Sequence, residues 1–284
     1  MLVDSHCHIF TNRIVRNVKG NPAMIEELKL NTHDALPRLE PKALEESAEA
    51  HNVAACVLLP TAAPEKVRSE NDRFIQFTLE FPRLRTLATL HPTMRDLSDE
   101  IIRMFDLGIN GFKFSSFSQR FDLLAPEVEV MLTEVERLGR DREPKPILVF
   151  DTFARADIYF RAQPDHLTTP SKLVKLGRRH QGINFVCAHM GGLLADFDEL
   201  RRVLLPAPNI FLDTANAAHT LSENQFIELL RVHGSSHILF GTDWPWFVHG
   251  AERSKIGSLL VKAGYDQSEQ AAVFGGNAER LFGL

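Results

Sequence analysis

Residues 1–10 read MLVDSHCHIF, and the two histidines spaced one residue apart decide how the rest of the chain is read. Side chains alternate along an extended strand, so His6 and His8 share a face and hold two imidazoles a few ångströms apart. Cys7 turns to the opposite face, where packing under a helix suits a buried thiol. An HxH pair is weak by itself, because a strand histidine more often packs and hydrogen-bonds than binds an ion. Its weight depends on what the other strands carry.

Working outward, short runs rich in Val, Ile, Leu and Phe recur to the end of the chain. They fall at 2–10, 54–61, 85–93, 109–116, 146–153, 183–192, 209–216 and 237–246. Between them lie segments with apolar residues at helical spacing, such as PKALEESAEAHN, LSDEIIRMFDLG, APEVEVMLTEVERLGR and SENQFIELLRVHG. Ser98, Ser171 and Ser222 are expected as helix N-caps.

About eight β-then-α units over this length predict an α/β fold of the (β/α)₈ TIM-barrel type, as one domain over 1–284. An open doubly wound sheet is the rival. Against it, no GxGxxG turn follows the first strand, and polar residues gather at the C-terminal end of nearly every strand, where a closed barrel has its mouth. The stretch 10–40 is expected as a long first βα-loop, a lid or wall for that mouth.

Composition narrows the function. The 284 residues are 44% hydrophobic and 24% charged, with a formal net charge of -5, so bulk electrostatics recruits neither nucleic acid nor an anionic membrane. No apolar run approaches the ~20 residues of a membrane span, and no leader pattern opens the chain. Three cysteines, Cys7, Cys56 and Cys187, fit buried thiols in a reducing compartment, so the cytoplasm is expected. A homo-oligomer stays open.

The strand ends supply His6 and His8 from the first strand, His91 from the third, Lys113 from the fourth and Asp151 from the fifth. The sixth gives His189, the seventh Asp213 and Asn216, and the eighth Asp243. Neutral imidazoles and carboxylates are the ligands of divalent first-row ions, and a catalytic site leaves one position open. Asp243 follows an apolar run, where a carboxylate costs several kcal/mol unless paired or metal-bound. Glycines after His189 let the backbone turn and leave space at the mouth.

DSHCHIF, GFKF, FVCAHMGG, ILFGTDWPW and the terminal FGGNAERLFGL resemble the amidohydrolase superfamily of metal-dependent TIM-barrel hydrolases, in particular the branch called amidohydrolase family 2. The resemblance runs from the first strand to the last helix. It implies that His6 and His8 are metal ligands, that Asp243 binds the metal or acts as general base, and that His189 is a ligand or a substrate-polarising group. The branch usually carries a histidine at the end of the fifth strand, where this chain has PILVFDTF. Asp151 there can take the ligand role, and exchanging imidazole for carboxylate favours a harder ion, so one divalent ion is expected, zinc first and manganese second. A second metal on a carbamylated Lys113 is the lesser expectation, and a free Lys113 would bind a substrate oxyanion.

The resemblance implies hydrolysis of a lactone, ester or amide of a small, anionic substrate. Lys113, Ser115, Arg120, His91, Arg155 and Trp244 are the substrate-binding candidates, the arginines as carboxylate or phosphate partners and Trp244, like Trp246, as pocket wall or packing. The alternatives are a non-oxidative decarboxylase of the same branch, a TatD-like deoxyribonuclease suggested by His91-Pro92, and a non-catalytic barrel that acts as a binding protein. The missing basic stripe weighs against the nuclease. The intact His6, His8, His189 and Asp243 set weighs against the silent barrel.

Overall fold

The strand that carries the paired histidines, β1 (Val3–Cys7), is buried throughout and opens a series of eight short parallel strands. They are seen in a computed structural model that describes residues 1–284. The others are β2 (Ala55–Leu58), β3 in two pieces (Leu84–Thr86 and Ala88–Thr89), β4 (Gly111–Phe114), β5 (Ile147–Phe150), β6 (Asn184–Cys187), β7 (Ile210–Asp213) and β8 (Ile238–Leu239). Each falls inside one of the eight apolar runs, except that β3 begins at Leu84, one residue before the run 85–93. The ladders run in sequence order, in two sheets that meet at the break in β3. There the Leu87 N–H reaches back to Leu58 O at 3.1 Å while Ala88 pairs with Phe112.

The ring comes together where β8 meets β1, through scattered bonds in place of a continuous ladder. Ser5 N–H donates to Phe240 O and His8 N–H to Trp244 O, both at 2.9 Å, and Asp243 N–H donates to His6 O at 3.0 Å. The backbones approach so closely that a Cβ on Gly241 would lie 2.7 Å from His6 Cβ. The buried Asp4 carboxylate adds a staple, accepting from Thr242 N–H at 3.0 Å, from the Thr242 hydroxyl, and from His6 N–H at 3.1 Å.

Strand β1 departs from simple alternation. Asp4 pairs with Cys56 but Cys7 pairs with Leu58, so three steps on β1 match two on β2. Such a bulge inserts one residue and flips the facing of the residues beyond it. That is how Val3 joins the apolar floor of the barrel while His6, three residues on, also faces inward.

The floor is built from Val3, Val57, Leu87, Ile147, Val149, Val186, Phe211 and Leu239, closed below by Ala278 and Leu281 of the last helix. A larger apolar layer lies outside the strands, under the helices. All the helical patterns form, the last as one continuous helix over 267–282 with a π-helical turn at Ala272–Gly276. Ser222 caps its helix in a full capping box. Ser98 and Ser171 do not: those helices start after Asp96 and Thr169. Proline at the first helical position fixes the second case, since Pro170 needs no N–H partner and leaves Thr169 to accept from Lys172 N–H.

The stretch after β1 holds two helices, α1 (Asn12–Lys19) and α2 (Pro22–Leu28), and a short 3₁₀ turn at Leu36–Arg38. Val15, Val18, Met24 and Leu28 pack with Phe153, Leu193 and Trp246, which makes the segment one wall of the mouth. No helix is long and apolar enough to cross a membrane.

Candidate metal centre

At the mouth the imidazoles of His6 and His8 meet with their Nε2 atoms 3.0 Å apart. Asp243 Oδ1 lies 3.8 Å from the first and 3.6 Å from the second. Two N–H groups cannot point at each other at that distance, so at least one nitrogen presents a lone pair. For His6 the tautomer is fixed from behind: Nδ1 donates to Asp213 Oδ2 at 2.8 Å, which leaves Nε2 as the free acceptor, the arrangement that orients metal-binding histidines. His189 is fixed likewise, Nδ1 donating to Ala215 O at 2.9 Å.

Asp213 organises both rings. Its Oδ2 holds His6, and its Oδ1 accepts the backbone N–H groups of His189 at 2.8 Å and Ala215 at 3.2 Å. The sequence places Asp213 at a strand end but assigns it no part. The signal was the one that marks Asp243, a carboxylate closing an apolar run (NIFLD) that must be buried and therefore must be used.

Strain concentrates here. Asp243, His189, Met190 and Asn216 hold positive φ angles of 62°, 56°, 53° and 54°, a region that residues with a Cβ rarely occupy and that clusters at functional sites. Asn216 is 1% exposed, and neither polar atom of its amide has a hydrogen-bond partner.

Electrostatics fits a divalent cation. Burial, with the Lys113 ammonium and His189 adding to it, holds His6 well below the ordinary histidine range. Burial and the neighbouring His6 do the same for His8. Both rings are therefore neutral, as ligation requires. Burial pushes Asp243 up to about 7, Asp151 and Asp213 raising it further against His189 and Lys113; burial raises Asp213 too. Lys113 is depressed by burial against the pull of the same three carboxylates, and its Nζ has no partner. With the three carboxylates ionised, as a bound cation would hold them, and Lys113 as ammonium, the group carries two negative charges, which a divalent ion balances. The donor set, two imidazoles and a carboxylate oxygen at these spacings, suits zinc or a harder neighbour.

The other sequence candidates divide. Lys113, Ser115, Arg120, Asp151, His189 and Asp243 line one cleft of about 470 Å³ with His8, within the range of small-molecule sites. Asp151 stands back from the His6–His8–Asp243 group: it lies 3.9 Å from His189 Nε2 and accepts from Ser115 Oγ and Phe153 N–H, both at 3.2 Å.

Three expected substrate contacts turn away. His91 is tied on both nitrogens, Nε2 to Gln119 O at 2.9 Å and Nδ1 to Thr93, and pins β3 to the next loop. Trp244 is buried, donates Nε1–H to Arg38 O at 3.0 Å and stacks on His249; Trp246 is the tryptophan that lines the cleft. Arg155 lies outside the cleft, paired with Glu27 of α2 at 2.7 Å beside the Tyr159 hydroxyl.

A family model described as amidohydrolase matches residues 3–284. Among solved structures, the chain resembles a dihydroxybenzoic acid decarboxylase from Polaromonas sp. JS666 with bound manganese and the inhibitor 2-nitroresorcinol, at 17% identity and TM-score 0.69, covering 100% of this chain and 97% of that one. It also resembles an amidohydrolase from Burkholderia multivorans with bound zinc, at 17% identity and TM-score 0.69 over 100% and 99% of the two chains. A third is a probable 2-pyrone-4,6-dicarboxylic acid hydrolase from Acinetobacter baumannii with citric acid bound, at 16% identity and TM-score 0.63 over 100% and 99%. No curated protein matches the sequence.

Proposed function

The chain belongs to the amidohydrolase family, and from that premise we propose a metal-dependent hydrolase that cleaves a lactone, ester or amide of a small anionic substrate. The observation that carries the reading is the convergence of His6 Nε2, His8 Nε2 and Asp243 Oδ1, with His6 locked from behind by Asp213. These residues would hold the ion, with His189 beside them. A divalent cation bound there supplies Lewis acidity.

The chain's own groups do the rest. Asp243 takes the proton from the attacking water through a carboxylate oxygen. Asp213 keeps His6 and the His189 backbone in place while charge shifts. Lys113, a buried ammonium with no partner of its own, donates to oxygen that gains negative charge and anchors an anionic group. Phe10, Phe117, Phe153, Phe160 and Trp246 line the cleft wall; they keep water away and offer flat faces to a ring.

That aromatic lining also favours a second reading, non-oxidative decarboxylation of an aromatic acid, which several similar structures catalyse by name. One experiment separates the two. Protein loaded with zinc or manganese is offered a panel of lactones, esters and aromatic carboxylates while proton and CO₂ release are followed. Hydrolysis that Asp243→Asn abolishes supports the proposal, and CO₂ release moves it to the second reading. Failure on the whole panel, with no ion bound in the wild type that His6→Ala loses, refutes both.

A further inference from the structure

On the other face of β1, behind the histidines, a second set of metal-binding side chains converges. Cys7 comes from β1, Cys56 from β2 and His249 from the first position of the helix His249–Ala263, and their donor atoms lie within 4.8 Å of one another. Asp4, also on β1, lies 3.1 Å from His249 Nε2 but outside that mutually close set, so its carboxylate must swing toward the thiols to complete a tetrahedron. All four residues are 0% exposed. We propose that Cys7, Cys56, His249 and Asp4 form a structural zinc site in the barrel wall, separate from the centre at the mouth.

The spacing supports it. His249 Nε2 lies 3.6 Å from Cys56 Sγ and 3.1 Å from Asp4 Oδ2. Zinc bonds of ~2.3 Å to sulfur and ~2.0–2.1 Å to nitrogen or oxygen set tetrahedral edges of about 3.6 Å for S···N and about 3.3 Å for N···O. Two edges of the site are therefore already in place within about 0.2 Å.

The imidazole is also aimed. Its Nδ1 is bonded to Ser47 Oγ at 2.9 Å, from the helix Pro41–Ala50, and Trp244 stacks on the ring. This outer contact holds the ring with Nε2 toward the thiols, and the Ser47 hydroxyl can accept from Nδ1–H when Nε2 is a ligand, the support that ligating histidines receive. Two thiols with an imidazole are softer donors than the mouth set, and they select zinc over the harder ions that carboxylates admit. On binding, the ion replaces the protons on Cys7 Sγ and Cys56 Sγ and meets His249 as the Nδ1–H tautomer through its Nε2 lone pair; the displaced thiol protons leave to solvent and no electrons move. The site would bind β1, β2 and the last long helix together at the seam where the ladder is interrupted.

The test uses the whole protein loaded with Co²⁺, because only a thiolate ligand gives a near-ultraviolet sulfur-to-cobalt charge-transfer band and the mouth set contains no sulfur. The band is expected in the wild type and in His6→Ala/His8→Ala, and lost in Cys56→Ser. Zinc content is expected to fall from about two equivalents per chain in the wild type to about one in Cys56→Ser, with turnover retained. Cobalt-loaded wild type without the band overturns the proposal, whatever the variants do, and so does a band that survives in both Cys56→Ser and His249→Gln. Hydrogen bonding alone then accounts for the cluster. Because the mouth is read by turnover and this site by the sulfur band, either proposal can fail without the other.

Discussion

The floor and the mouth of the barrel are made by the same strands, two residues apart. On β5 the inward positions run Ile147, Val149, Asp151; on β4 they run Gly111, Lys113, Ser115; beyond β8 they run Leu239, Gly241, Asp243. Ile147, Val149 and Leu239 belong to the apolar cluster, with Gly111 packed against Ile147 and Leu87, and Lys113, Ser115, Asp151 and Asp243 line the cleft. Burial that stabilises the fold at the first step therefore works against it at the second, where a carboxylate or ammonium loses its water. Stability and chemistry are segregated along the barrel axis, and substitutions should sort by height.

The largest effect belongs to the mouth. His6→Ala and Asp243→Ala should each cut turnover by about 1000-fold or more, since in the proposed mechanism one removes a ligand and the other the proton acceptor, while thermal unfolding of the metal-stripped protein stays cooperative. Wild-type turnover in either variant would break the contrast outright.

Floor substitutions should do the reverse. Ile147→Ala removes three carbons from a fully buried position and should cost about 2–5 kcal/mol of stability, read from denaturant midpoints, with kcat on the surviving folded protein unchanged. A large loss of kcat at full stability would mean that the floor positions the mouth and does not merely support it.

The third test uses pH to expose the cost of the mouth itself. Burial lifts Asp243 to about 7 in the folded protein, well above the ordinary carboxylate. Between about pH 4 and pH 7 the folded state thus binds more protons than the unfolded one, so stability of the metal-stripped protein falls as pH rises through that window and levels off above it. The loss is on the order of 4 kcal/mol. Asp243→Asn should flatten the slope, giving a higher Tm than the wild type at pH 8 and little difference at pH 4. Equal slopes would place the carboxylate's charge in a solvated or already compensated setting.

How much of this the sequence makes legible is set by the same geometry. Parallel strands in a ring point their C-terminal ends one way, so collecting strand-end polar residues finds His6, His8, Lys113, Asp151, His189 and Asp243 together. The features that escape depend on backbone outside the ladders. The bulge between Asp4 and Cys7 leaves no mark in the hydrophobic pattern. His91 and Trp244 sit at strand ends like the residues just named, and only their backbone-carbonyl partners, Gln119 O and Arg38 O, turn them from the cleft. Asp4 and Asp213 look like buried acids in apolar runs, and only the fold shows which neighbours they hold. Thr169, just before its helix, accepts its cap bond from Lys172 N–H three positions on, and that cap competes with the nearby Ser171, which looks equally suitable.

The smallest effect is expected at the rim, where Arg155 meets Glu27 across the two segments that flank the cleft. Its side chain is 47% exposed, and a pair that wet is worth at most about 1 kcal/mol, so Arg155→Ala should shift Tm by no more than a few degrees. Because the guanidinium is spent on Glu27 and lies outside the cleft, KM for an anionic substrate should not move. Arg120→Ala, at a residue that lines the cleft, should raise KM while sparing Tm. If Arg155→Ala were the variant that raised KM tenfold, the Glu27 pair would have to open when substrate binds. The rim would then belong with the mouth, as a third region in which a stabilising contact is given up for recognition.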